Sequence, residues 1–156
     1  MLSEELPFKS KSFHIVFVVL RVLLGGLFLE AGLDKVINGF SAAEYLTNGT
    51  GPFAGWFTSM ASLGFINALV ISGEILIGIA LISGAMIRLA SSGGIVMMLL
   101  YYLPYLPPAN GWISQQIIYI LIFITLIFSG SGYFFGIDRY AIGIEKRWPI
   151  LRFLLG

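Results

Sequence analysis

The chain has 156 residues, of which 58% are hydrophobic and 11% are charged, and its formal net charge at pH 7 is +1. Soluble domains carry about 25% charged residues, so this composition excludes an ordinary soluble domain and indicates a membrane protein. Binding to nucleic acid is also not expected, because no basic cluster is interleaved with aromatic residues. We expect a single domain over residues 1–156.

The content of metal-binding residues restricts the redox chemistry open to this chain. There is no cysteine, and His14 is the single histidine. We therefore expect no haem, iron–sulfur or other metal ligation from this chain alone. Electron transfer would then depend on a quinone, on another organic cofactor or on a partner subunit.

Four long apolar runs predict an all-α integral membrane protein. We expect a four-helix bundle with spans at about residues 13–33, 66–86, 89–106 and 112–129. Each run approaches the ~20 residues that cross ~30 Å of hydrocarbon. Lysine and arginine are concentrated on the side of the two termini, so we expect both termini in the cytoplasm and the protein in the plasma membrane.

Two segments are expected to lie outside the spans. The outer connection, residues 36–65, should contain short helices, the first of them capped at Ser41. The tripeptide that begins at Asn48 is a glycosylation sequon on the outer side, although so short a motif also arises by chance. Residues 140–156 have an apolar helical face and basic residues, which predicts a C-terminal interfacial helix that contacts lipid or a partner subunit.

Two charged residues lie within the predicted spans, Arg21 in the first and Glu74 in the second. A lone charge at the bilayer centre costs roughly 2.5–3.5 kcal/mol, so we expect the two to form a buried ion pair. The pair has two interpretations: a polar site that binds a quinone headgroup or passes a proton, or a structural contact that fixes helix register. Small residues at helical spacing predict close packing of the helices: Gly25, Gly32, Gly78 and Gly84.

A second polar group is expected near the outer face of the membrane. Amide, phenol and carboxyl groups there could hydrogen-bond a quinone carbonyl while an indole covers the ring. The alternative is that the aromatic residues belong to the interfacial belt and the glutamines cap a helix. The quinone-binding candidates are Glu30, Trp112, Gln115, Gln116 and Tyr119.

Three segments resemble the DoxX family. They are similar to the first helix, the second helix and the closing glycine–aspartate motif of that family, in that order. The chain looks most similar to the DoxD type, the small membrane subunit of thiosulfate:quinone oxidoreductase, but it has Tyr133 where the family often has arginine. The matching positions are Arg21, Gly25, Gly32 and Lys35; Glu74, Gly78, Gly84 and Arg88; and Gly130, Gly132, Gly136 and Asp138.

The resemblance implies a four-helix membrane bundle, a partner subunit and electron delivery to the quinone pool, as in sulfur-oxidising archaea. We therefore predict a small subunit of a quinone-linked redox complex, which passes electrons from an outer donor such as thiosulfate. Whether this chain is itself catalytic stays open. One alternative is a non-catalytic accessory subunit of a larger membrane oxidase or oxygenase, and another is a carrier of lipid or small molecules.

Overall fold

The computed structural model describes residues 11–106, 111–141 and 154–155, and within these ranges the chain is helical and has no strand. The prediction of an all-α protein is thereby confirmed. The α-helices are α1 (Lys11–Asn38), α2 (Ala42–Thr47), α3 (Ala54–Met60), α4 (Phe65–Ser83), α5 (Ile87–Tyr102), α6 (Gln115–Ser129) and α7 (Ser131–Phe134). Single 3-10 helices occupy Leu103–Tyr105 and Ile137–Ala141.

Three helical segments are long and apolar enough to cross a membrane: His14–Asn38, Phe65–Ser83 and Ile87–Tyr105. Large apolar side chains cover their outer surface, as Leu23 and Leu76 illustrate with exposures of 68% and 65%. Water does not favour such a surface, whereas lipid tails do. The chain is thus a membrane protein with three candidate spans.

Several helix boundaries differ from those predicted. Helix α1 continues to Asn38, five residues beyond the predicted end, and α4 stops at Ser83 because Gly84 adopts a left-handed conformation with φ of 71°. Helix α6 has 15 residues because its N-cap, Ser114, is extended and residues before it form a bend. It is therefore shorter than the predicted span at 112–129.

The long helices pack in pairs. Helix α1 lies along α4, α5 lies along α6, and α4 contacts α5 less extensively. Glycines permit the two close pairings: a Cβ on Gly78 would lie 2.7 Å from the backbone nitrogen of Leu29, and a Cβ on Gly94 would lie 2.2 Å from the ring of Phe123. The buried core, which includes Phe28, Leu81 and Phe123, lies between these pairs.

The short helices α2 and α3 cover one end of the long helices, as the sequence predicts for the outer connection. Ser41 is the N-cap of α2, and Ala42 N–H donates to Oδ1 of Asn67 at 2.8 Å. Leu46 of α2 and Phe57 of α3 are buried in a cluster that includes Ile66 and Leu103. We call this the Lys35 end of the molecule, and the opposite end, where α4 is followed by α5, the Arg21 end.

Two further predictions concern surface segments. Asn48 is an exposed residue at the C-terminus of α2, and its glycosylation stays a prediction. The predicted interfacial segment 140–156 lies outside the described residues, apart from 140–141 and 154–155.

Candidate functional site

The predicted ion pair between Arg21 and Glu74 is wrong. Both side chains are buried, with exposures of 2% and 3%, but they lie at different depths. A Cβ on Gly32 would lie 3.2 Å from Cβ of Glu74, and Gly32 follows Arg21 by eleven residues, or about 16 Å of helix rise. Because α1 and α4 are antiparallel, Glu74 faces the last turns of α1 while Arg21 lies near its beginning.

Glu74 pairs with Lys35 instead. The Nζ atom of Lys35 lies 2.8 Å from Oε2 and 2.9 Å from Oε1 of Glu74. The hydroxyl of Tyr101 donates to the same Oε1 at 2.8 Å. The carboxylate thus meets a cation from α1 and a phenol from α5, which compensates the loss of its hydration. We call these three residues the Glu74 triad.

A cavity of about 190 Å³ lies beside the Glu74 triad. Three of the five predicted quinone-binding candidates line it: Gln115, Gln116 and Tyr119. Glu74 and Tyr101 of the triad complete its polar lining. The amide nitrogen of Gln115 lies 2.6 Å from the hydroxyl of Tyr119 one turn later, and this contact orients both groups. Phe28 supplies an apolar wall and meets the Tyr119 ring edge-on at 6.3 Å between centroids.

The other two quinone-binding candidates do not line this cavity. Trp112 precedes the first turn of α6 and is 81% exposed. Glu30 is exposed on α1, whereas Leu27 and Ala31 of the same helix line the cavity. Helical geometry explains the difference, since Glu30 is only one residue from Ala31 and therefore lies about 100° around the helix from it.

Two further tyrosines surround the Glu74 triad. The hydroxyl of Tyr45 donates to the backbone carbonyl of Tyr101, and the hydroxyl of Tyr105 donates to the carbonyl of Tyr45 at 3.0 Å. Burial, together with the neighbouring Tyr105, raises the pKa of Tyr45 to about 12. These bonds tie α2 to the end of α5 and so hold Tyr101 in place.

An apolar groove of about 1060 Å³ runs between α4 and α5. It shares Tyr101 and Gln116 with the smaller cavity, so the two spaces meet at the Lys35 end. The groove continues to Met86 at the Arg21 end. The arrangement combines a small polar compartment with a long apolar one, as a ligand with a polar head and a hydrocarbon tail requires.

Arg21 anchors the chain segment that follows α6. Its guanidinium donates to the carbonyl of Ser131 at 2.8 Å and to that of Phe135 at 2.5 Å. Backbone carbonyls at the end of a short helix carry partial negative charge, so they are suitable partners for a buried cation. Arg21 therefore joins the beginning of α1 to α7.

The glycine–aspartate motif completes this contact. The carboxylate of Asp138 accepts the N–H groups of Met86 at 2.7 Å and Ile87 at 3.2 Å, so it caps α5. Gly84 and Gly136 touch through their backbones, and a Cβ on Gly84 would lie 2.5 Å from Cα of Gly136. We call Arg21, Gly84, Gly136 and Asp138 the Arg21 clasp.

The remaining motif positions are distributed over both ends. Gly25 and Gly32 lie against α4, and Gly132 is buried in α7. Gly130 is the left-handed C-cap of α6. Arg88 donates from Nε to the carbonyl of Ile127 at 3.4 Å, which links α5 to α6.

Sequence reasoning missed the roles of Lys35 and Tyr101 in the site. In the sequence analysis, Lys35 is named only as a motif residue and Tyr101 is not named. A signal for Lys35 was present, because it lies on the same helical stripe of α1 as Arg21 and Gly32. No comparable signal marks Tyr101, since Tyr102 and Tyr105 are adjacent and equally aromatic.

Comparison with known proteins gives one match. A family model described as DoxX matches residues 16–103, more than half of the chain. The matched region contains the Glu74 triad and ends before the segment that carries Asp138. No significant match is found among curated proteins or among solved structures.

Proposed function

Because this chain belongs to the DoxX family, we propose that it is a small integral membrane subunit of a quinone-linked redox complex. In this proposal α6 crosses the membrane beside the three candidate spans and completes a four-helix bundle. The observation that carries the proposal is the polar cavity beside the Glu74 triad and its junction with the apolar groove.

The residues around the cavity fit a quinone headgroup. A volume of about 190 Å³ is below the ~300–1,000 Å³ of pockets for drug-sized ligands, so it suits a single ring system rather than a whole lipid. Gln115, Gln116 and Tyr119 offer neutral hydrogen-bond donors, which are the partners that carbonyl oxygens need. A bound quinone would supply two-electron redox chemistry, which the side chains of this chain lack.

The Glu74 triad would position the ring. Oε1 of Glu74 accepts from both Tyr101 and Lys35, so the carboxylate holds these two side chains in fixed positions. Both side chains lie where the groove approaches the cavity. The chain's own part in the chemistry is therefore to bind and orient the headgroup.

The electron donor is assigned to a partner subunit. The cation at the Lys35 end is held by Glu74, so this chain has a poor site for an anion such as thiosulfate there. We propose that the Lys35 end faces outward, that the Arg21 end faces the cytoplasm of the plasma membrane, and that an outer partner binds the donor.

The test is purification of the native complex in mild detergent, followed by identification of its other chains and its extracted quinone. Tyr119→Phe and Gln116→Met should each weaken quinone binding by about tenfold, since each removes one hydrogen-bond donor that lines the cavity. Tyr140→Phe is the matched control, because its side chain is 83% exposed at the Arg21 end and does not line the cavity. Wild-type quinone affinity in both cavity variants would exclude this cavity as the site.

A second candidate function is that of a non-catalytic accessory subunit. It is favoured by the Arg21 clasp, in which four motif residues hold the chain's own turns and do not reach the cavity. A complex that contains a catalytic partner but retains no quinone would support this function over the first.

A further inference from the structure

We infer that the groove between α4 and α5 holds the isoprenoid tail of the quinone, which enters sideways from the membrane and places its ring in the polar cavity. This inference rests on the proposed function, since it assigns the tail of the same ligand.

The groove exists because small residues from both helices face each other without closing. Ala80 and Ser83 line it from α4, and Ala90 and Gly93 line it from α5. In membrane proteins such residues usually let helices touch. Here a Cβ on Gly93 would meet only the side chain of Ile77, at 3.8 Å, so the space is left open.

At the α1–α4 and α5–α6 interfaces, by contrast, small residues allow the helices to pack closely. A Cβ on Gly25 would lie 2.9 Å from side-chain atoms of Leu81 and Ile82, and one on Gly94 would overlap Phe123. Between α4 and α5 the helices do touch at Gly73, where a Cβ would lie 2.5 Å from Cε of Met97, whereas the groove stays open beside Gly93. An apolar gap in a membrane forfeits dispersion contacts unless a hydrocarbon chain fills it.

The dimensions of the groove fit one long chain. It follows α4 from Ile66 to Ser83, a rise of about 25 Å at 1.5 Å per residue. That covers most of the ~30 Å hydrocarbon thickness. At the Lys35 end the groove also passes under α2 and α3, and it meets the polar cavity at Tyr101 and Gln116, the two residues that line both. A ring and its tail can therefore occupy both spaces together.

The charges at the polar end favour a neutral headgroup over a phospholipid. Lys35 lines the groove, but its ammonium group is neutralised by Glu74 at 2.8 Å. The polar side chains that line both the groove and the cavity are the phenol of Tyr101 and the amide of Gln116, and both are neutral. A phosphate would need an available cation, whereas a quinone ring needs only hydrogen-bond donors.

The experiment compares Gly93→Phe, which places a ring in the groove, with Gly26→Phe as a matched control. Gly26 is also a mid-helix glycine, a Cβ there would meet nothing within 4 Å, and it does not line the groove. Affinities are measured on the full chain in its complex for benzoquinone and naphthoquinone rings, each with and without an isoprenoid tail. Ala80→Phe fills the groove from α4 if Gly93→Phe fails to fold.

For the wild type and Gly26→Phe, we expect the tail to improve binding by at least about tenfold. In Gly93→Phe this advantage should disappear, while the tailless rings keep their affinity within about twofold. If the tailless rings bind but Gly93→Phe and Ala80→Phe leave the tail's advantage intact, the groove assignment is overturned and the headgroup site survives. If neither form of quinone binds the wild type, the proposed function fails and takes the groove assignment with it.

Native mass spectrometry of the wild-type complex identifies the occupant directly. A retained isoprenoid quinone that is lost in Gly93→Phe and kept in Gly26→Phe supports the inference. A retained phospholipid, or a partner helix that crosslinks to Val96 in the groove, would overturn it.

Discussion

At the scale of single residues, Glu74 is buried together with one cationic partner. The carboxylate is 3% exposed, and its cationic partner, Lys35, keeps about a fifth of its side chain accessible. Removing one member of a buried pair leaves the other charge unpaired, which costs more than removing both. The pair is therefore a stability feature as well as a part of the proposed site.

We predict that Lys35→Met lowers the free energy of unfolding by about 3 kcal/mol, because the Glu74 carboxylate loses its cation. The double variant Lys35→Met with Glu74→Gln should recover most of that loss, since Tyr101 can still donate to the amide oxygen. Unfolding in mixed micelles as the denaturing detergent increases would measure both. A loss of less than ~0.5 kcal/mol for Lys35→Met would show that this ion pair contributes no more to stability than a surface ion pair does.

A second residue-scale prediction concerns alkaline pH. Burial raises the pKa of Tyr45 to about 12 from its ordinary value near 10, so above pH 10 the unfolded chain loses this proton before the folded protein does. The stability contributed by neutral Tyr45 is full below pH 10 and is lost as pH rises towards 12. Unfolding at pH 9 and pH 11 should show a smaller decrease for Tyr45→Phe than for the wild type, and equal decreases would contradict the assignment.

Residue spacing could predict which face of a helix a charge occupies, but not its partner. Arg21, Gly32 and Lys35 lie on one stripe of α1, and that stripe does face α4. The partner depends on how far each helix runs. Because α1 extends to Asn38, Glu74 lies opposite Lys35 rather than Arg21, and no local pattern fixed that boundary.

At the scale of elements, the turn between α4 and α5 is held from outside. Its backbone passes through left-handed conformations at Gly84 and Met86, with φ of 71° and 52°. Asp138 accepts two N–H groups of this turn, and Asp138 N–H donates back to the carbonyl of Gly84 at 3.0 Å. The 3-10 helix Ile137–Ala141 thus fixes how α5 leaves α4.

We predict that Gly84→Ala is more destabilising than Gly130→Ala. Both glycines have a positive φ, which costs an alanine about 1–2 kcal/mol, but a Cβ on Gly130 would meet nothing within 4 Å. On Gly84 the methyl group would overlap Gly136 and Arg21, which adds about 1–3 kcal/mol of overpacking. Detergent unfolding of the two variants measures the difference, and equal losses would show that the close contact with Gly136 carries no energy.

Hydrophobic runs were sufficient to find the long helices, whereas their ends depended on caps. The capping sequence at Ser41 was read correctly because its chemistry is local. The start of α6 was not, since Trp112 and Ile113 are as apolar as the helix that follows but precede its N-cap, Ser114. Similarly, the closing motif was recognisable in the sequence, but its partners are about 50 and 110 residues away.

At the scale of the whole molecule, buried polar contacts lie at two depths of the helix bundle. An apolar groove between α4 and α5 extends from one depth to the other. The Glu74 triad with its cavity lies towards one end, and the Arg21 clasp lies at the other. Composition alone predicted a membrane protein. The prediction of which end faces outward rests on the distribution of lysine and arginine along the sequence, and several of those residues lie outside the described ranges.

Single cysteines can test this orientation, because the chain has no cysteine of its own. Ser59→Cys places an exposed thiol at the Lys35 end, and Tyr140→Cys places one at the Arg21 end, where Tyr140 is 83% exposed. We expect a membrane-impermeant maleimide to label Ser59→Cys on intact cells and Tyr140→Cys only after permeabilisation. The reverse pattern would contradict the proposed orientation.

The contacts of Arg21 have a consequence for biosynthesis. Its acceptors at Ser131 and Phe135 follow it by 110 and 114 residues. At the usual 5–20 residues per second, a ribosome needs roughly 5–20 s to supply them. Throughout that interval the guanidinium of a newly inserted first helix lacks these acceptors, so its long side chain has to reach the water or the lipid headgroups at the membrane surface instead.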